Sequence, residues 1–268
     1  MSATSSKPND FTTANFQEMF EYIRDQQQFT NLLSDLTKDF FLVDYPKNKK
    51  ENIIGYWLAI KLRIIVDALF KNMTNKPPIR IMAQERVSGL LEKSNTYNLV
   101  IYINEVPAIV VDVNFITNNL STNFPRIFKN IVYNANNINQ YEGMEYISLF
   151  VVAEKTPSFT ANKQYDKDEE MSLFNLIKLT NLSLCKHNRF DISTIVLTPF
   201  IDGTTGKPKI KKPNLSNYNI FHTQCLRENI SLDIFHNIED TVLNNDIMKF
   251  LQKILNKIQY RMFGRAES

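Results

Sequence analysis

The sequence predicts an α/β protein with an αβββαβ core around a mixed central sheet and helical flanks at its N- and C-terminal ends. Three observations carry this reading. The strongest helical stripe in the chain, from Glu51 to Asn72, is followed by three strand-like segments that end at Phe115. A second helical pattern then leads into "YISLFVVA", a continuous apolar run of the kind found in strands covered on both faces. Residues 11–41 and 238–262 repeat apolar side chains at three- and four-residue steps, which sets helices outside the core at each end.

Each element has its own signal. Residues 1–10, "MSATSSKPND", are polar and predict a disordered tail without the basic-then-apolar order of a secretory signal. Phe16, Phe20, Ile23, Phe29, Leu32, Leu33 and Leu36 make the first helical stripe, and "DYPKNKKEN" punctuates it. The next helix carries Ile54, Leu58, Leu62, Ile65 and Leu69 on one line, widened by Ile53, Trp57 and Ile64, so it packs against a sheet. "NKPP" ends that helix, and Ile79 to Val87 reads as a strand. Two further runs lie in "YNLVIYINEVPAIVVDVNF", residues 97–115.

The following helix has Thr122 or Asn123 as its cap and Pro125 in its first turn, then Ile127, Ile131, Ala135 and Ile138. After the strand at 146–153, residues 156–170 are polar and read as loop. A helix from Met171 to Leu184, the strand "STIVLTPF", the basic loop "GTTGKPKIKKP" and a helix from Ile238 to about Met262 complete the chain. The organisation is therefore a tail at 1–10, a helical flank at 11–45, a core at 46–200, and a basic loop with C-terminal helices packed on that core at 201–268.

Composition excludes several classes. With 43% hydrophobic and 22% charged residues in 268, the chain is an ordinary globular one, long enough to bury a sizeable core. Its formal net charge of +3 permits a nucleic-acid partner without requiring one. Cys185 and Cys225 stand far apart, as two reduced thiols or one disulfide, and the former reading predicts an intracellular protein, cytoplasmic or nuclear. His187, His222 and His236 form no paired ligand motif, so zinc is not expected. No membrane helix is expected either, because the apolar segment from Ile53 to Phe70 is broken by Lys61, Arg63 and Asp67. Asparagine supplies about a tenth of the chain, a bias that can put Asn where Asp once stood.

The stretch at 97–115 holds the residues with chemistry to offer. If its turn centres on Glu105, antiparallel pairing sets residues whose numbers sum to 210 opposite each other, so Asn98 faces Asp112. Side chains alternate, so Asn114 emerges beside Asp112. Three polar groups then meet at one end of an apolar hairpin, and a one-residue slip in register would separate them. Position alone admits two readings: strand ends that meet water, or a site.

This stretch, within the αβββαβ order, resembles the PD-(D/E)XK superfamily, the restriction-endonuclease-like fold. In that family a strand beginning with Asp runs into a turn often written Asn-Gly-x-Pro, and the next strand ends in Asp or Glu, any residue, then Lys. The matching turn is "NEVP"; the first Asp falls on Asn98, the second acid on Asp112 and the Lys on Asn114. "ERVSG" also resembles the branch found in fungal Crinkler-type and retrotransposon-hot-spot-type proteins, which maps its strand Glu to Glu85. A supporting helix Glu would map to Glu51. The resemblance spans roughly residues 51–153 and implies Mg²⁺-dependent cleavage of DNA or RNA, with Glu85 and Asp112 left to hold the ion.

Asn98 in place of Asp removes a charge that Mg²⁺ prefers, and Asn114 in place of Lys removes the cation of the motif. By analogy with an oxyanion donor, each loss costs about 2.7–4 kcal/mol in the transition state. Restoring Asp at 98 and Lys at 114 is then expected to rebuild Mg²⁺ affinity, and Arg126 or Lys129 would rescue catalysis if either reached the site. Lys207, Lys209, Lys211 and Lys212 form a basic run for phosphate contact or a solvated loop. Three readings stand: a degenerate nuclease domain kept for binding nucleic acid or protein, a working nuclease with relocated residues, and an interaction scaffold.

Overall fold

The computed structural model describes residues 29, 31–33, 35–36, 49–70, 77–89, 94–139, 143–153, 155–162, 164–183, 190–201, 210–215, 225–233 and 247–263. The tail at 1–10, the helical stripe ahead of Phe29, Lys207 and Lys209 fall outside them. Phe29, Leu33 and Leu36 of the predicted N-terminal stripe are buried in the core.

Helix α1 runs over Lys49–Leu69 and buries Ile54, Trp57, Leu58, Leu62 and Val66, the stripe its periodicity predicted. Strands β1 (Ile79–Val87), β2 (Asn95–Ile103) and β3 (Val106–Ile116) follow as an antiparallel meander. The β2–β3 turn is the pair Asn104–Glu105, both with positive φ (53° and 62°), which matches the twist of a tight hairpin. The expected register, summing to 210, holds at Leu99–Val111 and Ile101–Ile109, then shifts at Tyr102 to fit that two-residue turn.

Helix α2 (Leu120–Asn139) crosses back, so that β4 (Glu145–Ala153) lies parallel to β3. It begins five residues before Pro125, not with Pro125 in its first turn, because Asn119 at positive φ accepts the N–H groups of Thr122 and Asn123. Strands β5 (Lys155–Phe159) and β6 (Tyr165–Glu170) form a separate ribbon where a loop was predicted. Charged β6 hides its strand character because its side chains are solvated rather than alternating with apolar ones, and Lys155 pairs with Glu170 at 2.8 Å across the ribbon.

Helix α3 (Leu173–Ser183) leads to β7 (Phe190–Ile201), parallel to β4, and β8 (Ile210–Leu215) closes the sheet antiparallel to β7. Lys211 and Lys212 therefore sit on a strand, not in the predicted basic loop. The last helix, α4, is described over Ile247–Phe263.

The six-stranded mixed sheet has the order β1-β2-β3-β4-β7-β8. α1 and α4 pack on one face with Leu99, Ile101, Val111, Val113 and Phe115. α2 and α3 pack on the other with Tyr97, Val100, Val110, Tyr146 and Phe150. α4 is tied to the sheet by charge as well: Lys257 bridges Asp191 (2.9 Å) and Glu145, Arg261 binds Glu145 (3.0 Å), and Lys253 approaches Asp191 (3.7 Å). Among the described residues no helix is long and apolar enough to cross a membrane.

Candidate functional site

The polar residues of the hairpin do not share one face. In a regular strand Tyr97 and Leu99 would point the same way, yet Tyr97 belongs to the α2 side and Leu99 to the α1 side. The strand turns over between them. Opposite this point β1 has Gln84 at φ 54°, and the paired register passes from Ala83–Leu99 to Glu85–Tyr97 without a Gln84–Asn98 pair. Asn98 is therefore rotated toward α1. Its Oδ1 accepts the Val113 N–H at 2.7 Å, and its Nδ2 donates to Asn52 Oδ1 on α1 at 3.3 Å.

Gly55 permits that approach. A Cβ on Gly55 would lie 2.6 Å from the Asn98 carbonyl oxygen and 2.9 Å from the Asn98 Cβ, so only glycine lets α1 sit this close to β2.

β3 alternates without interruption, with Val111, Val113 and Phe115 on the α1 side, so Asp112 and Asn114 face α2. Asp112 Oδ2 accepts three donors: the Tyr146 hydroxyl at 2.9 Å, Asn134 Nδ2 at 3.3 Å and Asn114 Nδ2 at 3.5 Å. The network continues outward through Asn114 to Ser148 Oγ (3.3 Å) and from Asn95 to Asn134 Oδ1 (3.3 Å). Burial raises the Asp112 carboxyl above its ordinary range, opposed by these donors and the Val113 amide. Burial and the neighbouring Asp112 charge push the Tyr146 hydroxyl well up.

At the start of α1, Lys50 is buried, its Nζ donating to Thr117 Oγ1 at 2.8 Å and lying 5.0 Å from the Phe115 ring centroid. Beside it, burial raises the Glu51 carboxyl to about 7; Lys50 and the backbone amides of Glu51 and Phe115 oppose the shift, and the Asp112 charge adds to it. Glu51 Oε2 is enclosed without a hydrogen-bond partner. The Asp112 charge thus acts on Glu51 from a different element, while Asn98 is engaged elsewhere.

The other expected members are not gathered here. Glu85 of β1 pairs across the strands with Tyr97 of β2; the donors on Asp112 come from α2, β3 and β4 instead. Arg126 and Lys129 are exposed on the outer side of α2 and do not reach inward. Tyr97 and Tyr102 of β2 are buried. The Ser-Gly pair after "ERV" has a packing reason: a Cβ on Gly89 would come within 2.2 Å of the Asn137 amide on α2. A pocket of about 350 Å³ opens between Arg86, Tyr102, Glu105 and Met144; it is lined in part by the "ERVSG" and "NEVP" stretches but by none of Glu51, Glu85, Asn98, Asp112 or Asn114.

Sequence reasoning missed Lys50, Asn52, Asn134, Tyr146 and Ser148. Lys50 stood in a polar cluster read as a helix boundary, and Tyr146 opened a run read as apolar; neither carries a spacing that betrays the contact.

The residues present do not fit the Mg²⁺ that the family resemblance implies. Mg²⁺ needs several oxygen ligands in near-octahedral array. Asp112 Oδ2 is already engaged by Tyr146, Asn134 and Asn114, and Glu85 does not join it as a second carboxylate. Glu51 Oε2 is an enclosed carboxylate oxygen without a hydrogen-bond partner, and Lys50 already stands beside it. Among the described residues no three His, Cys, Asp or Glu side chains are placed to hold a metal ion. Neither a family model, nor a characterised protein, nor a solved structure matches the chain.

Proposed function

We propose that this chain is a PD-(D/E)XK-like domain whose hydrolytic site is degenerate and which serves as a nucleic-acid-binding module. Support for the fold resemblance comes from the order α1-β1-β2-β3-α2-β4, with β1, β2 and β3 antiparallel and β4 parallel to β3. Among the causes that raise the Glu51 carboxyl is the charge of Asp112, and the resemblance nominates both positions. The observation that carries the degenerate reading is the split of Asn98 and Asp112 between opposite faces of the sheet, with Asp112 Oδ2 engaged by Tyr146, Asn134 and Asn114.

Plasmid DNA and single-stranded RNA incubated with the protein in Mg²⁺ or Mn²⁺ are expected to remain uncut above the buffer control. Cleavage by the natural chain that disappears in Asp112→Ala would show a working site and overturn the reading. The motif-restoring pair Asn98→Asp with Asn114→Lys is expected to add no Mg²⁺ affinity in calorimetry, because the two positions address different faces. The sequence alone leads to the opposite expectation. A tenfold tighter site in the double variant, equivalent to about 1.4 kcal/mol, would mean that the residues do converge.

A further inference from the structure

We propose that the outward side of α2 and α3 is the surface that contacts nucleic acid, and that it takes a single strand. This rests on the binding reading above and assigns that binding to a place.

The two helices bury their inner sides against the same face of the sheet, so their outer sides look out from one face of the protein. Across the 20 residues of α2 and the 11 of α3 there is none of the chain's 28 acidic residues. The only charges are Arg126, Lys129 and Lys178, all exposed. A solvated helix face commonly mixes both signs; this one has a single sign.

Nor are these cations consumed internally. α4 also lacks acidic residues, but its Lys253, Lys257 and Arg261 are held by Asp191 and Glu145. Arg126, Lys129 and Lys178 form no ion pair among the described residues; Arg126 donates to Asn123 Oδ1 at 3.1 Å, and Lys178 lies 4.4 Å over the Phe174 ring.

Exposed rings accompany the charge. Tyr133 is 39% and Phe174 63% exposed, unusual for large aromatics in helices that otherwise bury their apolar side. Arg126, Lys129 and Tyr133 stand at i, i+3 and i+7, one stripe along α2. Cations that meet phosphates and rings that meet bases are the two parts of a single-strand platform. A duplex keeps its bases stacked on each other and offers those rings nothing. At the N-terminus of α2 the stripe is bounded by Glu169 of β6, whose carboxylate accepts the Ser121 N–H (2.8 Å) and hydroxyl (2.6 Å).

The test is fluorescence anisotropy of the full chain with a labelled oligo(dT) strand and a duplex of the same length, over a series of salt concentrations. The natural chain is expected to prefer the single strand. The triple variant Arg126→Gln, Lys129→Gln and Lys178→Gln should bind at least tenfold more weakly, with a log-affinity against log-salt slope flatter by about 2, at roughly 0.7 per phosphate contact. Tyr133→Ala with Phe174→Ala should weaken single-strand binding by about tenfold or more without changing that slope. All five positions are exposed, so both variants should keep the natural melting temperature. Lys249→Gln, an exposed lysine on α4, should bind as the natural chain does. If the natural chain binds and the variants bind equally well, the surface lies elsewhere and only this inference falls. A preference for duplex overturns the single-strand assignment. No binding to either probe overturns the nucleic-acid reading itself.

Discussion

Gly55→Ala is expected to destabilise the protein by about 2–3 kcal/mol, even though alanine is worth about 1 kcal/mol more than glycine inside an exposed helix. The added Cβ would stand 2.6 Å from a backbone carbonyl oxygen and 3.2 Å from its carbon, both in β2, so no side-chain rotation relieves it. α1 must lift from the sheet, loosening Trp57, Leu58 and Leu62, which are 3% exposed or less. The same shift would break the Asn52–Asn98 contact and draw Glu51 away from the Phe115 amide. Gly89→Ala should cost less, because the obstructing atoms there belong to the Asn137 side chain rather than to backbone. Urea unfolding midpoints for the two variants check the ranking. A Gly55→Ala protein as stable as the natural one would mean that α1 does not rest on β2 at Asn98.

What could be read from the sequence, and what could not, divides along physical lines. Long apolar stripes and runs gave α1, β1, the hairpin, β4 and the inner register of β2 with β3, since burial on a sheet leaves a periodic trace. The charged β6 left none. The hairpin chemistry failed at one residue. Asn98 was expected opposite Asp112 by alternation, and alternation is lost where Gln84 takes a positive φ and the two ends of β2 turn to different faces. Nothing in "YNLV" announces that turn, because both faces there are apolar and accept Tyr97 and Leu99 equally well. The donors on Asp112 were beyond reach for a related reason: Asn134 and Tyr146 meet it through tertiary packing, 22 and 34 residues away in sequence.

Glu51→Gln is expected to make the protein more stable at pH 8 and to flatten the dependence of its stability on pH. The folded chain holds the Glu51 proton up to about 7, against an ordinary 4.5, mainly because burial disfavours the charge. The folded state therefore binds more protons than the unfolded state between those values, and stability falls as pH rises through that window. The contribution is fully present below about pH 4.5 and is lost above about pH 7; it amounts to about 3 kcal/mol at most. Glutamine is neutral throughout, keeps an oxygen for the Phe115 amide, and replaces the partnerless Oε2 with a group that can donate. The variant should retain some slope, because Asp112 is raised in the same direction. Urea midpoints at pH 4.5, 6 and 8 for both proteins measure the difference. A variant less stable than the natural chain at pH 8 would show that the Glu51 carboxylate is charged and paired there, which would make it a candidate cation ligand and open the case for a metal at this end of the sheet.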